Sequence, residues 1–322
     1  MADLFRPLRL VVLAGLLLDV VLAVPALPEA GGDVVATLSL LAPGGAFNFL
    51  VAATRLGLPV LFGGLVGDGP VGRLLQDELR ALGVPLLHPP VPSRDSGFDA
   101  ALVVGDGERS FVTAPGCEAE LGEAHLARLP LAAGDVLLVT GYDLLYPVSG
   151  ESLTRFLQDL PRGVLFALDA SPLVHQVPEE RLSALLPRLD FLTLNQREAE
   201  ALVGSAPPQL LLARLRERAP RALLVLRQGA KGAWASLPEG LLLQAPSRPT
   251  NSVDTTGAGD THTVALLAAL HRGLGLREAL FAANVAASLS VERFGPGTCP
   301  SRAELEEEMR RLGNRRQGMC EG

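Results

Sequence analysis

The sequence predicts an α/β fold built on a mainly parallel central sheet, with a small β lid standing off it. Three observations carry this. Short apolar, β-rich runs alternate with amphipathic helical stretches, the C-terminal third turns helical, and two Gly-containing segments break the alternation. Strands that alternate with helices imply a parallel sheet covered on both faces, a three-layer sandwich.

Taken in order, Leu10–Leu16, Val60–Val66, Val136–Thr140, Leu165–Asp169, Phe191–Leu194 and Leu223–Leu226 read as strands buried on both faces. Helical spacing of apolar residues marks Asn48–Leu56, Val71–Leu82, Glu151–Leu160, Pro178–Leu186 and Ala199–Leu202 between them. Gly257–His271, Leu276–Val291 and Ser301–Leu312 form the helical end. The lid comprises two segments, about 32–45 and 96–113. In the first, Gly32–Leu41 alternates moderately; the second is a hairpin with arms Phe98–Val104 and Arg109–Thr113 around Gly105-Asp106-Gly107. One domain therefore covers 1–313, and the polar residues 314–322 read as a flexible tail. Arg6 and Arg9 precede an apolar run to Leu18, but Asp19 interrupts it and it is too short to span a bilayer. It reads as a buried first strand.

Composition narrows the function. At 48% hydrophobic and 20% charged residues, a chain of 322 residues can bury a large core. A net charge of −7, with no dense Arg/Lys stripe and Lys231 as the sole lysine, argues against nucleic acid as a partner. No segment suggests a membrane partner. Cys117, Cys299 and Cys320 show neither CxxC nor Cys/His spacing, so a zinc site or disulfide framework is not indicated and a reducing cytoplasm fits.

The strongest chemical signal is Asp254-Thr255-Thr256-Gly257-Ala258-Gly259-Asp260-Thr261, followed at once by the apolar helix from Val264. Gly257, Ala258 and Gly259 leave backbone N–H groups unobstructed at a helix N-terminus, where partial positive charge favours phosphate. Asp260 then sits in the first turn, where a carboxylate can accept a proton from an incoming hydroxyl while the amides hold the phosphoryl group.

At these residues the chain resembles the ribokinase-like (PfkB) carbohydrate kinase family, whose C-terminal signature this block matches. The likeness extends along the chain. Pro43-Gly44-Gly45-Ala46-Phe47-Asn48, Arg55-Leu56-Gly57 and Val66-Gly67-Asp68 look like the family's N-terminal signature. Asn195-Gln196-Arg197-Glu198 looks like its NxxE motif, and Leu226 to Ala233 like the strand and loop before the nucleotide pocket. The resemblance implies a ribokinase-like fold and an ATP-dependent kinase acting on a hydroxyl of a sugar or of a nucleoside such as pseudouridine.

Position by position, it implies Asp260 as general base and Gly257, Ala258, Gly259 and Asp260 as the anion hole. Asn195 and Glu198 would place Mg²⁺ through water, and Asp254, with the loop Gly295–Cys299, would mark a site for a monovalent cation such as K⁺. Arg227, Gly229, Gly232, Thr256 and Asn284 would line the nucleotide. Asp19, Gly44, Gly45 and Asn48 would hold acceptor hydroxyls, with Phe98 reaching in from the lid, and exposed lid edges would pair into a homodimer. Each residue also has a plain structural reading: Asn195 and Glu198 have the spacing of a capping box, Asn48 that of a helix cap, and Phe98 fits a hairpin core. The chain departs from the family at four points. Two residues rather than three separate Gly45 from Asn48, Gly69 replaces an Asp, His262 replaces a Phe, and Cys299 replaces a Ser.

Two other classes compete. Gly67-Asp68-Gly69-Pro70-Val71-Gly72 matches GxGxxG between an apolar strand and a helix, the fingerprint of an NAD-dependent oxidoreductase. A non-catalytic sugar- or nucleotide-binding protein would keep the fold and lose Asp260. A Walker P-loop is excluded, because Gly232 follows Lys231.

Overall fold

The computed structural model describes residues 7–104 and 109–318. In chain order its elements are β1 (Arg9–Val12), β2 (Leu16–Ala23), β3 (Leu38–Gly45), α1 (Ala46–Leu56), β4 (Val60–Phe62), α2 (Pro70–Leu82), β5 (Phe98–Val103), β6 (Arg109–Ala114) and α3 (Glu123–Leu126). There follow β7 (Asp135–Thr140), α4 (Gly141–Leu145), α5 (Pro147–Gln158), β8 (Leu165–Asp169), α6 (Glu179–Leu185), β9 (Phe191–Asn195), α7 (Gln196–Val203) and α8 (Pro208–Arg218). The chain closes with β10 (Leu223–Arg227), β11 (Ala233–Ser236), β12 (Leu242–Ala245), α9 (Ala258–His271), α10 (Leu276–Ser290) and α11 (Arg302–Gly318).

The main sheet runs β12-β11-β10-β9-β8-β7-β1-β4. It is parallel except at β11 and β12, which pair antiparallel at one edge. Alternate strand residues feed two separate cores. Val136, Leu138 and Val225 point into the one shared with α9 and α10, while Leu137, Val139 and Leu224 enter the other with Leu153 and Leu215. Both faces being covered is why these strands read as continuous apolar runs. Helix α9 is apolar on all sides because it lies inside its core, with Thr261 to Leu270 buried throughout.

The lid is a second sheet, ordered β3-β2-β5-β6. The expected hairpin is present as β5 and β6, paired from Phe98↔Ala114 to Val103↔Arg109; its Gly105-Asp106-Gly107 turn lies outside the described residues. The first lid segment is shorter than expected, with strand only from Leu38. The main correction lies at the N-terminus. The run expected as one strand splits: β1 ends at Val12, and β2 begins at Leu16 in the other sheet, between β3 and β5. The run is apolar throughout, so periodicity cannot mark the break. Tertiary contacts make it, with Gly15 N–H donating to Asp143 Oδ1 at 2.8 Å and Gly15 carbonyl accepting from Ala46 N at 2.9 Å. Asp19 accordingly sits within a lid strand rather than at the end of a core strand.

The GxGxxG segment does not serve a dinucleotide. Its helix N-terminus is already occupied, since Asp95 accepts from Gly72 N at 2.7 Å and Val71 N at 3.2 Å. An anion supplied by the chain fills the place that a pyrophosphate would need. The same carboxylate explains Gly69, where a Cβ would come within 2.2 Å of Asp95 Cγ. At the other end of the chain, α11 continues as helix to Gly318, beyond residue 313. Among the described residues, no helix is long and apolar enough to cross a membrane.

Candidate active site

Parallel strands in an open α/β sheet deliver their C-terminal residues to one edge. Here Thr140, Asp169, Asn195 and Arg227, the last residues of β7 to β10, all open onto one cleft of about 890 Å³. The lid sheet forms its roof and the start of α9 its floor.

At the floor, Gly257 caps α9 with φ +69°, a left-handed conformation that glycine adopts without strain. A Cβ there would also come within 2.9 Å of the Asn48 side chain, and one at Gly259 within 3.0 Å of Arg227. Of the first-turn amides, Ala258 N–H already donates to Thr255 O at 3.2 Å. Those of Gly259 and Asp260 have no carbonyl one turn back to meet. Asp254 stabilises the approach, its Oδ1 accepting from Thr256 N and Oγ1 and its Oδ2 from Gly295 N, and it does not line the cleft.

Asp260 projects from this turn into the cleft. Burial, then the nearby Asp169, push its carboxyl up to about 7, against the downward pull of Arg227 and of a hydrogen bond from Asn48. Asn48, buried in α1, also accepts from Gly297 N at 2.9 Å, which fixes its amide. Arg227 is the centre of a buried network. It holds Asp169 in a two-pronged contact at 2.9 and 3.2 Å and reaches Glu198 at 3.4 Å. Burial opposes its charge, but Asp169 and Glu198 more than offset that and raise its pKa.

Asn195 and Glu198 form the capping box expected as their plain structural reading: Asn195 Oδ1 accepts from Glu198 N at 3.0 Å and Glu198 Oε2 from Asn195 N at 2.7 Å. Both also line the cleft. Gly229, Gly232, Thr256 and Asn284, the residues expected at a nucleotide, line it too. Asn284 donates to the carbonyls of Ala245 and Pro246, and its Oδ1 meets His262 Nε2 at 3.1 Å. His262 is a buried helix residue kept neutral, since burial pulls its pKa down to about 3. Among the described residues no three His, Cys, Asp or Glu side chains are grouped to hold a metal ion on their own.

Asp19 and Gly45 of the lid and Asn48 of α1 line the cleft as expected, and Gly44 and Phe98 do not. A Cβ on Gly44 would lie 1.7 Å from Asp19 Oδ1, so this glycine makes room for the carboxylate. Strand alternation turns Phe98 to the outer face, while Asp99, Phe111 and Thr113 line the cleft, Phe111 at its rim where it is 58% exposed. Phe111→Ala should therefore raise the acceptor KM several-fold, about 3- to 30-fold for a partly desolvated ring, and Phe98→Ala should leave it unchanged. Steady-state kinetics on the two variants checks this; the opposite ranking would return Phe98 to the site.

Sequence reasoning missed Asp169, although it ends an apolar strand and strand ends are where such sheets bind ligands. It also missed Glu118 and Asp143, which hang the lid from the body. Asp143 accepts from Gly15 N, just before β2, and Glu118 from Gly97 N at 2.9 Å, just before β5. Thr140 to Asp143 has the local spacing of a capping box, but the bonds to Gly15 and Gly97 reach distant segments and leave no pattern in the sequence.

Comparisons with known proteins identify the family. Residues 8–303 match the sequence profile of the pfkB family of carbohydrate kinases. An uncharacterized sugar kinase of Escherichia coli, YegV, is 32% identical over 301 residues, covering 91% of this chain and 92% of its own. Ribokinase of Bacillus subtilis is 32% identical over 295 residues, 90% and 95% of the two chains. The solved structure of an Arabidopsis thaliana ribokinase complexed with ribose and ATP shares the fold at a TM-score of 0.75 and 21% identity, covering 94% and 99%. The chain belongs to the PfkB family of carbohydrate kinases.

Proposed function

We propose that this protein transfers the γ-phosphoryl group of ATP to a hydroxyl of a sugar or sugar-like acceptor, with Asp260 as general base. The observation that carries this is a carboxyl lining the cleft from the first turn of α9, beside two amides that have no backbone partner among the described residues; burial raises its pKa to about 7. A base poised near the working pH takes up a proton efficiently and can release it again. The acceptor O–H gives its proton to Asp260 as its oxygen bonds to the γ-phosphorus. The bond from that phosphorus to the β–γ bridging oxygen breaks, and ADP leaves with the electron pair. The amides of Gly257, Gly259 and Asp260 would stabilise charge on the transferring group. Asn48 orients the base, and the lid sheet keeps water out.

The fold neighbour complexed with ribose and ATP supports ATP as donor. Mg²⁺ fits the donor set in one way. The oxygens of Glu198 are engaged by Asn195 and Arg227, so the ion would be held through its waters and the triphosphate, as Mg²⁺ commonly is. It would supply charge neutralisation at the phosphates. K⁺ fits less well, because both Asp254 oxygens are occupied, and no step is assigned to it. Phe98, Val112 and Leu41 expose an apolar outer face on the lid sheet, which supports pairing into a homodimer.

The test is ADP release with ATP, Mg²⁺ and a panel of sugars and nucleosides. A binding protein without turnover would release none. The base must be ionised to act, so kcat with an accepted sugar should rise about ten-fold per pH unit below 7 and level off above it. A profile flat from pH 5.5 to 8.5 would remove Asp260 from the role.

A further inference from the structure

We propose that the acceptor half of the cleft is built for an uncharged polyhydroxy compound, and that Asp99 is a specificity-determining residue that binds one of its hydroxyls and rejects anionic acceptors. This rests on the kinase reading and narrows it. Four carboxylates face the lid side of the cleft: Asp19, Asp99, Glu118 and Asp143. Two of them are spent on the fold. Asp143 accepts from Gly15 N, Thr140 N and Thr140 Oγ1, and Glu118 accepts from Gly97 N and Gly116 N. Asp99 differs. Its Oδ1 is shielded from solvent and has no hydrogen-bond partner among the described residues. A buried acceptor left unpaired costs about 1–3 kcal/mol; the carboxylate lines the cleft, and a small turn about its last side-chain bond would bring this oxygen to a ligand O–H and recover that.

Register puts this atom in the right company. Asp99 pairs with Asp19 of β2 on one side and Thr113 of β6 on the other, and all three line the cleft. Side-by-side carboxylates repel an anion and welcome hydroxyl donors. No cation answers them. Among the described cleft-lining residues Arg227 is the only Arg or Lys, and Asp169 and Glu198 already claim it. A phosphorylated sugar or sugar acid would bring its charge into a half-cleft of like sign with no counter-ion. Burial also pushes the Asp99 carboxyl up to about 6, a sign that its charge is poorly solvated before a ligand arrives.

The experiment pairs neutral acceptors with their anionic counterparts: ribose and fructose against ribose 5-phosphate, fructose 1-phosphate and gluconate, read by ADP release. The wild-type enzyme should favour a neutral member by at least about 100-fold in kcat/KM. Asp99→Asn should raise the KM for that neutral acceptor about 10- to 100-fold, the worth of a hydrogen bond to a charged group, with the KM for ATP unchanged. The preference over the anionic partner should shrink with it. Preference for a phosphorylated or acid acceptor, or an unchanged acceptor KM in Asp99→Asn, overturns the proposal and leaves the kinase reading standing. No ADP from any acceptor overturns the kinase reading and this proposal with it.

Discussion

Asp260→Asn is expected to lower kcat by about 10²- to 10⁴-fold, the usual worth of a general base, with little change in the KM for ATP. An amide keeps the size and the hydrogen bond to Asn48 yet cannot take the acceptor's proton. It also carries no charge, so it removes the repulsion with Asp169 that helps raise the carboxyl to about 7. That gives a second readout. Between the ordinary Asp value and about 7, the folded protein holds a proton at Asp260 that the unfolded chain has released, so this group loses stability as pH rises through that window. The variant should lack that loss and melt slightly higher than wild type at pH 8. Near wild-type kcat in a correctly folded variant would assign the base elsewhere.

Arg227→Met should do the reverse and cost stability first. Its guanidinium is 12% exposed and neutralises Asp169 and Glu198, which are 7% and 4% exposed. Removing one partner of a buried ion network leaves charges uncompensated at about 3–5 kcal/mol, a fall in Tm of roughly 5–15 °C. Activity carries a more specific signature. Arg227 pulls the Asp260 pKa down, so without it the midpoint of the kcat–pH profile should move to higher pH. A profile that keeps its midpoint while Tm falls would make Arg227 a structural residue only. A Tm within a degree or two of wild type would show that the network is dispensable.

How much of this was legible in the chain follows from the range of each interaction. The core strands were, because burial on both faces writes itself as apolar runs in residue order, and β8 spans Leu165–Asp169 as expected. So was the floor of the cleft, since Gly257 to Asp260 are consecutive residues of one helix turn. The antiparallel edge strands β11 and β12 and helix α8 were not, for their apolar signals are weak or irregular.

By itself, then, the sequence determined the parallel core, the helical end and the glycine turn that sets Asp260 at the start of α9. Each depends on periodicity or on neighbours within a few residues. Tertiary structure alone decided where the first apolar run breaks between two sheets, because Asp143 and Ala46 hold Gly15 from far along the chain. It decided that Asp95 fills the α2 N-terminus and closes the dinucleotide reading. It also decided which side of the lid faces the cleft. A strand's two faces alternate with every residue, and only the cross-strand register, Asp19 to Asp99 to Thr113, turns Asp99 inward and Phe98 out.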